Sequence, residues 1–234
     1  MLTKRLITAG ILLPFVVFGT LLLDDMLFRV IMALVIAIAA WEYCNLISVK
    51  QPAFRLLYIF TLIIIAFILA SIDSWLMPII IVSSAWWLLN TYWVSCYPKF
   101  TNLWHEIQGV RLLNGLFIFV PMFLALAALQ KNNSELVLLL LMLIWSADSG
   151  AYFAGKAFGS KKLCPRVSPG KTIEGMIGGI VASIAIMLGY LELYIEPIGT
   201  EQYFVYVALS VVVSIVSVVG DLFESIHKRL ANVK

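Results

Sequence analysis

Charge is scarce in this sequence, and where it gathers it does so among small residues and prolines. Residues 146 to 175 read SADSGAYFAGKAFGSKKLCPRVSPGKTIEG and carry Asp148, Lys156, Lys161, Lys162, Arg166, Lys171 and Glu174 between long apolar segments. Lys161, Lys162, Arg166 and Lys171, with Ser168, Gly170 and Thr172 just ahead of the next apolar run, would offer ammonium and guanidinium groups, hydroxyls and backbone amides to a polyphosphate. The stretch is not a P-loop, because the GxxxxGK[ST] spacing is absent and no strand is expected in a bilayer. A second group stands near the C-terminus in VVGDLFESIHKRLANVK. In a helix running from Gly220, the residues Asp221, Glu224, Ser225 and Lys228 fall three or four apart and share one face. Two carboxylates with a lysine a turn away suit a hard divalent cation that carries phosphates. Plainer readings fit too: a basic loop that fixes topology, and an ordinary helix pair of Glu224 with Lys228.

The elements that must position these residues are membrane helices. Apolar residues make up 62% of the 234 and charged ones 12%, where a soluble domain averages roughly 25% charged. Eight apolar runs reach spanning length, at about 6 to 23, 26 to 48, 56 to 72, 75 to 97, 111 to 130, 136 to 155, 173 to 195 and 203 to 220. The first follows Lys4 and Arg5 but is long, lacks a small-residue cleavage pattern and runs into Asp24 and Asp25, so it reads as a retained helix.

Loop charge then alternates. Lys4, Arg5, Lys50, Arg55, Lys99, Arg111, the cluster from Lys156 to Lys171, Lys228, Arg229 and Lys234 fall on one side of an eight-span chain. Asp24, Asp25, Asp73, Glu135, Glu192, Glu196 and Glu201 fall on the other, with Lys131 the single basic loop residue among them. The positive-inside rule makes the first side, and both termini, cytoplasmic. The net charge of +3 is modest, but basic residues gathered on one face suit anionic headgroups and nucleotides rather than nucleic acid. Cys44, Cys96 and Cys164 form neither a disulfide framework nor a metal-ligand spacing, and His105 and His227 have no companions at ligand spacing. Glu42 and Glu106 read as interfacial anchors or ion-pair partners. Gly175 and Gly179 stand at the spacing that lets two membrane helices approach closely.

Three strings, WSADSGAYFAGKAFG at 145 to 159, VSPGKTIEGMIGG at 167 to 179 and GDLFESIHKR at 220 to 229, closely resemble the bacterial phosphatidate cytidylyltransferase (CDP-diacylglycerol synthase) family. The N-terminal spans agree only as hydrophobic helices. The resemblance implies an all-α polytopic protein of the bacterial inner membrane that joins CTP and phosphatidic acid into CDP-diacylglycerol and pyrophosphate, with Mg²⁺ and a site open to the cytoplasm. It implies one transmembrane domain, with residues 1–130 supplying N-terminal spans and 131–234 the catalytic-type region. Asp221, Lys171, Asp148 and Lys228 are expected to be catalytic, Asp221 also as a metal ligand. Ser168, Thr172, Lys162, Arg166, Glu224 and Arg229 are expected to bind substrate. The expected partners are CTP, phosphatidic acid and membrane lipids, not nucleic acid, with a homodimer left open.

His227 stands where the family signature is usually apolar, and Ile173 where it has an aromatic. The signature also continues past Lys234 into an aspartate, a PGHGG run, a DRxD segment with a further metal ligand and a final span. On that reading the chain is expected to be a fragment or a shortened relative with impaired activity. The alternatives are a non-catalytic lipid-binding or assembly relative and another CTP-dependent lipid transferase. An anion transporter is disfavoured by the lack of inverted repeats.

Overall fold

The computed structural model describes residues 2–194 and 199–231, so Glu196 and Lys234 of the charge pattern lie outside the described residues. The long helices are α1 (Leu2–Leu22), α2 (Asp25–Leu46), α3 (Pro52–Ala70), α4 (Leu76–Cys96), α6 (Gln108–Asn132), α7 (Ser134–Phe158), α8 (Ile173–Tyr194) and α9 (Thr200–Leu230); a short α5 (Thr101–Trp104) lies between α4 and α6. Each expected span falls on one of the long helices. Among the described residues seven are long and apolar enough to cross a membrane, and α1 adds the shorter apolar stretch Leu13–Leu22.

The helices form because backbone polar groups in hydrocarbon must be satisfied within the segment, and their outer faces are as apolar as lipid. Leu88, on α4, is 73% exposed and Phe204, on α9, 67%, which in water would be an aggregation surface and in a bilayer is the solvated face. Helix starts carry recognisable chemistry. The Asp24 carboxylate accepts a hydrogen bond from the Leu27 amide at 2.8 Å, an N-cap for α2, and Pro52 opens α3 at a position whose amide would have no helical partner.

The contacts gather into two units that do not follow chain order. The first comprises residues 1–45, 49–83 and 112–138; the second comprises 46–48, 84–111 and 139–234. In the first, the Tyr58 hydroxyl donates to the Leu112 carbonyl at 2.7 Å. In the second, an aromatic wall backs α9. Trp93 stacks on Trp104 at 6.0 Å, Trp104 meets His227 at 5.6 Å, and Phe223 meets Trp87 at 5.3 Å. His227, the residue out of place by family pattern, is thus buried at 1% exposure, with Nδ1 3.0 Å from the Phe223 carbonyl. Next to Trp104, burial, with Arg111 nearby, holds the His105 imidazole below the usual histidine range.

One element differs from expectation. The basic stretch after α7 is not an irregular loop but a small antiparallel hairpin, β1 (Lys162–Cys164) and β2 (Ser168–Thr172), with Lys162 opposite Thr172 and Cys164 opposite Ser168. It lies between two spans rather than within one, so its backbone hydrogen bonds need no lipid-buried partner.

Candidate active site

α7 and α8 approach backbone to backbone, and this contact sets the site. A Cβ built on Gly178 would collide with the Ala154 Cβ and come to 3.0 Å of the Gly150 carbonyl; one on Gly179 would lie 2.6 Å from the Ala147 carbonyl. Small residues at these positions are what allow two membrane helices to lie so close. Toward the hairpin the contact continues at Gly175, whose Cβ would meet the Ala151 carbonyl at 2.9 Å and the Thr172 hydroxyl at 3.0 Å.

The hairpin is then fastened at both feet. At the start of α8 the Thr172 hydroxyl accepts the Gly175 amide at 3.1 Å, an N-cap that satisfies one of the first-turn donors. The Glu174 carboxylate reaches back across the turn, accepting from the Ser160 hydroxyl at 2.5 Å and from the Lys161 amide at 3.1 Å. The Ile173 amide donates to the Lys161 carbonyl at 2.9 Å. At the tip, Arg229 near the end of α9 donates through Nε to the carbonyl of Val167, itself 1% exposed.

These fastenings close a cavity of about 520 Å³ bounded by α7, the hairpin, α8 and α9, a volume suited to a ligand of nucleotide size. Asp148, Lys156, Lys171 and Asp221 supply its charge, and Tyr152, Leu163, Met176 and Val218 its apolar surface. Lys171 Nζ is ion-paired with Asp221 and lies 3.4 Å from the Val218 carbonyl. Asp148 Oδ1 stands 3.5 Å from the Ser217 hydroxyl of α9. Two carboxylates from different helices thus face one space with two ammonium groups. Gly170 also lines it, and the space where its side chain would point is open.

The expected site residues divide. Asp148, Lys171, Thr172 and Asp221 converge on the cavity. Lys162 and Arg166 are exposed on the hairpin and do not line it. Ser168 pairs within the sheet opposite Cys164. Glu224 and Lys228 pair with each other at 2.7 Å one to two turns beyond Asp221, which is the ordinary helix ion pair, and both lie off the cavity. Arg229 holds the hairpin tip. The stripe on α9 is real as helix geometry, but only its first residue, Asp221, lines the cavity.

Lys156 and Tyr152 line the cavity and were absent from the expected set. The signal was there: Asp148, Tyr152 and Lys156 are four residues apart and share a helix face. It was hidden because the apolar run ends near 155, whereas α7 continues to Phe158 and carries Lys156 as a helical residue.

A helical protein with membrane-length apolar spans and a charged, nucleotide-sized cavity where three of its helices meet a basic hairpin belongs to the class of membrane proteins that handle phosphorylated ligands at a helix-end site. The chain matches the Cytidylyltransferase family over residues 3–234, and it is a member of that family. It is 37% identical over 238 residues to a phosphatidate cytidylyltransferase of Pseudomonas aeruginosa, the match covering 100% of this chain and 86% of that protein. With a phosphatidate cytidylyltransferase of Haemophilus influenzae the identity is 30% over 258 residues, covering 100% and 88%. One from Bacillus subtilis is 34% identical over 149 residues, 63% of this chain.

Proposed function

We propose that this chain transfers the cytidylyl group of CTP to phosphatidic acid, releasing pyrophosphate and leaving CDP-diacylglycerol in the membrane. The observation that carries this reading is the convergence of Asp148, Lys156, Lys171 and Asp221 on one cavity, in a chain of the Cytidylyltransferase family. In the reaction a phosphate oxygen of the lipid forms a bond to the α-phosphorus of CTP as the bond to the pyrophosphate oxygen breaks. No covalent enzyme intermediate is needed, so the protein's task is alignment of two polyanions and neutralisation of their charge. Lys171 and Lys156, approaching from the hairpin and from α7, are placed to hold phosphate oxygens. Tyr152, 62% exposed on α7, and Met176 give the cavity an apolar side for the glycerol end of the lipid.

Magnesium fits the donor set. Asp148 and Asp221 are hard oxygen donors lining one space, and among the described residues no third His, Cys, Asp or Glu joins them as a cluster. Magnesium is commonly held by one or two carboxylates, with water and substrate phosphates completing the octahedron. When bound, the ion would neutralise charge on the transferring phosphates. Incubating membranes carrying the chain with labelled CTP, phosphatidic acid and Mg²⁺ tests the proposal: labelled CDP-diacylglycerol that disappears on chelation supports it. A labelled product that forms without phosphatidic acid, from another lipid acceptor, would replace the substrate assignment.

Lys171→Ala should weaken CTP binding by about 10- to 100-fold, since a charge-assisted contact is worth roughly 1.5 to 3 kcal/mol. Lys131→Ala should leave CTP binding unchanged. Titration in detergent compares the two, and equal affinities would reduce Lys171 to a partner for Asp221.

The inner membrane, with the hairpin side facing the cytoplasm, is the location the loop charges support. In intact cells a membrane-impermeant thiol reagent should reach a cysteine introduced at Asn133 and spare Cys164 until the membrane is opened. The reverse pattern would invert the topology.

A further inference from the structure

Of the 16 lysines and arginines, two fall toward the acidic connections rather than the basic ones: Arg29, in the first turns of α2, and Lys131, at the end of α6. The structure brings both to one place. In the first unit they line a cavity of about 240 Å³ whose apolar wall is Leu69, Leu76, Leu124 and Ala127. Basic residues on that side run against the positive-inside bias, so two of them on one apolar cavity need a reason.

Local pairing answers only part of it. Arg29 meets the Asp25 carboxylate twice, through Nε and a terminal nitrogen, each at 3.0 Å, and its other terminal nitrogen is 3.4 Å from the Ala70 carbonyl. A guanidinium has five N–H donors in a fixed fork, so donors remain on both terminal nitrogens. Lys131 Nζ stands 3.4 Å from both oxygens of Asp73, a carboxylate that is itself 87% exposed. Charge-assisted bonds of full strength run about 2.7 to 2.9 Å, so this pair is loose and the ammonium can turn to a better anion. Helix starts and helix ends both meet here, and Asp73 lines the cavity beside the two cations, so the pull on an anion comes from Lys131 turning away from Asp73 and from the donors Arg29 keeps beyond Asp25.

We infer that this cavity is a binding site for the phosphate of an anionic phospholipid of the leaflet on the side of the acidic connections. Arg29 would serve as the fixed cation, Lys131 as the mobile one, and Leu69, Leu76, Leu124 and Ala127 would receive the glycerol and upper acyl carbons. The two cations supply the charge that a phosphate needs, and the apolar wall is what a free phosphate would not use. The site is independent of the transferase reading, since it shares no residue with the other cavity.

The test is lipid retention by the full chain purified in mild detergent, read by native mass spectrometry after incubation with equal amounts of phosphatidylglycerol and phosphatidylcholine. The unsubstituted chain should retain the anionic lipid in preference. Lys131→Gln, a change at a half-exposed side chain, should lower that retention about fivefold, in line with the contribution of one basic residue near a lipid surface. Asp73→Asn should raise it by freeing Lys131. Arg29→Gln should remove it, and the thermal midpoint of that variant shows whether folding was lost instead; the Lys131 and Asp73 variants decide the matter if so. Equal retention of the two lipids, or unchanged retention in both of those variants, overturns the inference. Displacement of the lipid by millimolar inorganic phosphate would also overturn it, by showing a soluble-anion site in which the apolar wall has no part.

Discussion

Asp221→Ala should lower the rate of CDP-diacylglycerol formation by about a thousandfold, corresponding to about 4 kcal/mol of lost charge stabilisation at roughly 1.4 kcal/mol per tenfold. The side chain lies on α9 at the cavity, 51% exposed, and is paired with Lys171, so two accounts of it compete. If it only holds Lys171 in place, the double variant Asp221→Ala with Lys171→Ala should behave like either single one, because the two would act as a unit. If it also meets the divalent cation, Asp221→Ala should remove the Mg²⁺ dependence of CTP binding, whereas Lys171→Ala should weaken binding and keep that dependence. Measuring CTP affinity with and without Mg²⁺ in the three variants separates the accounts without relying on turnover. Asp221→Asn keeps the shape and removes the charge, and should resemble the alanine variant. A Mg²⁺ response in Asp221→Ala equal to that of the unsubstituted chain would sink the metal assignment and move it to Asp148.

The membrane-spanning architecture was legible because a bilayer imposes a length and a composition on any segment that crosses it, and among the described residues seven of the eight apolar runs lie on helices that satisfy both. What the apolar signal could not show is how far a helix continues once it leaves the lipid. α7 runs to Phe158 and α9 to Leu230, each beyond its apolar run, and those polar extensions carry Lys156, Asp221 and Arg229. The hairpin was hidden for a different reason. Its strands are three and five residues long, too short for an alternating pattern, and they are held by the Glu174 carboxylate, the Thr172 cap and Arg229 rather than by β propensity. Helix spacing rightly placed Asp221, Glu224 and Lys228 on one face of α9. It could not say where along that face the hairpin would end. Arg229, which the family resemblance gives as a substrate-binding residue, donates to the Val167 carbonyl in the structure, and nothing in its own neighbourhood signals that partner 62 residues away.

The second large effect should come from a residue with no polar atoms in its side chain position at all. Gly178→Ala adds one methyl group, and in most helices that exchange is favourable by up to about 1 kcal/mol because glycine carries the greater backbone entropy. Here the added carbon would run into the Ala154 methyl and the Gly150 carbonyl, and a backbone carbonyl cannot turn aside as a flexible side chain does. The helices must separate, at an overpacking cost of about 1 to 3 kcal/mol, and Gly178→Leu should prevent the chain from accumulating in folded form. Separation also moves Asp148 and Lys156 on α7 away from Lys171, which is tied to the start of α8, so CTP binding should fall even in the alanine variant. Gly189 lies on the same helix with nothing within 4 Å of where its Cβ would be, which makes Gly189→Ala the internal control: it should raise the thermal midpoint or leave it unchanged. Opposite signs at the two positions are the expected result. A Gly178→Ala protein as stable as Gly189→Ala, with CTP affinity intact, would show that the α7 and α8 backbones do not meet as described and that the geometry of the cavity rests on something else.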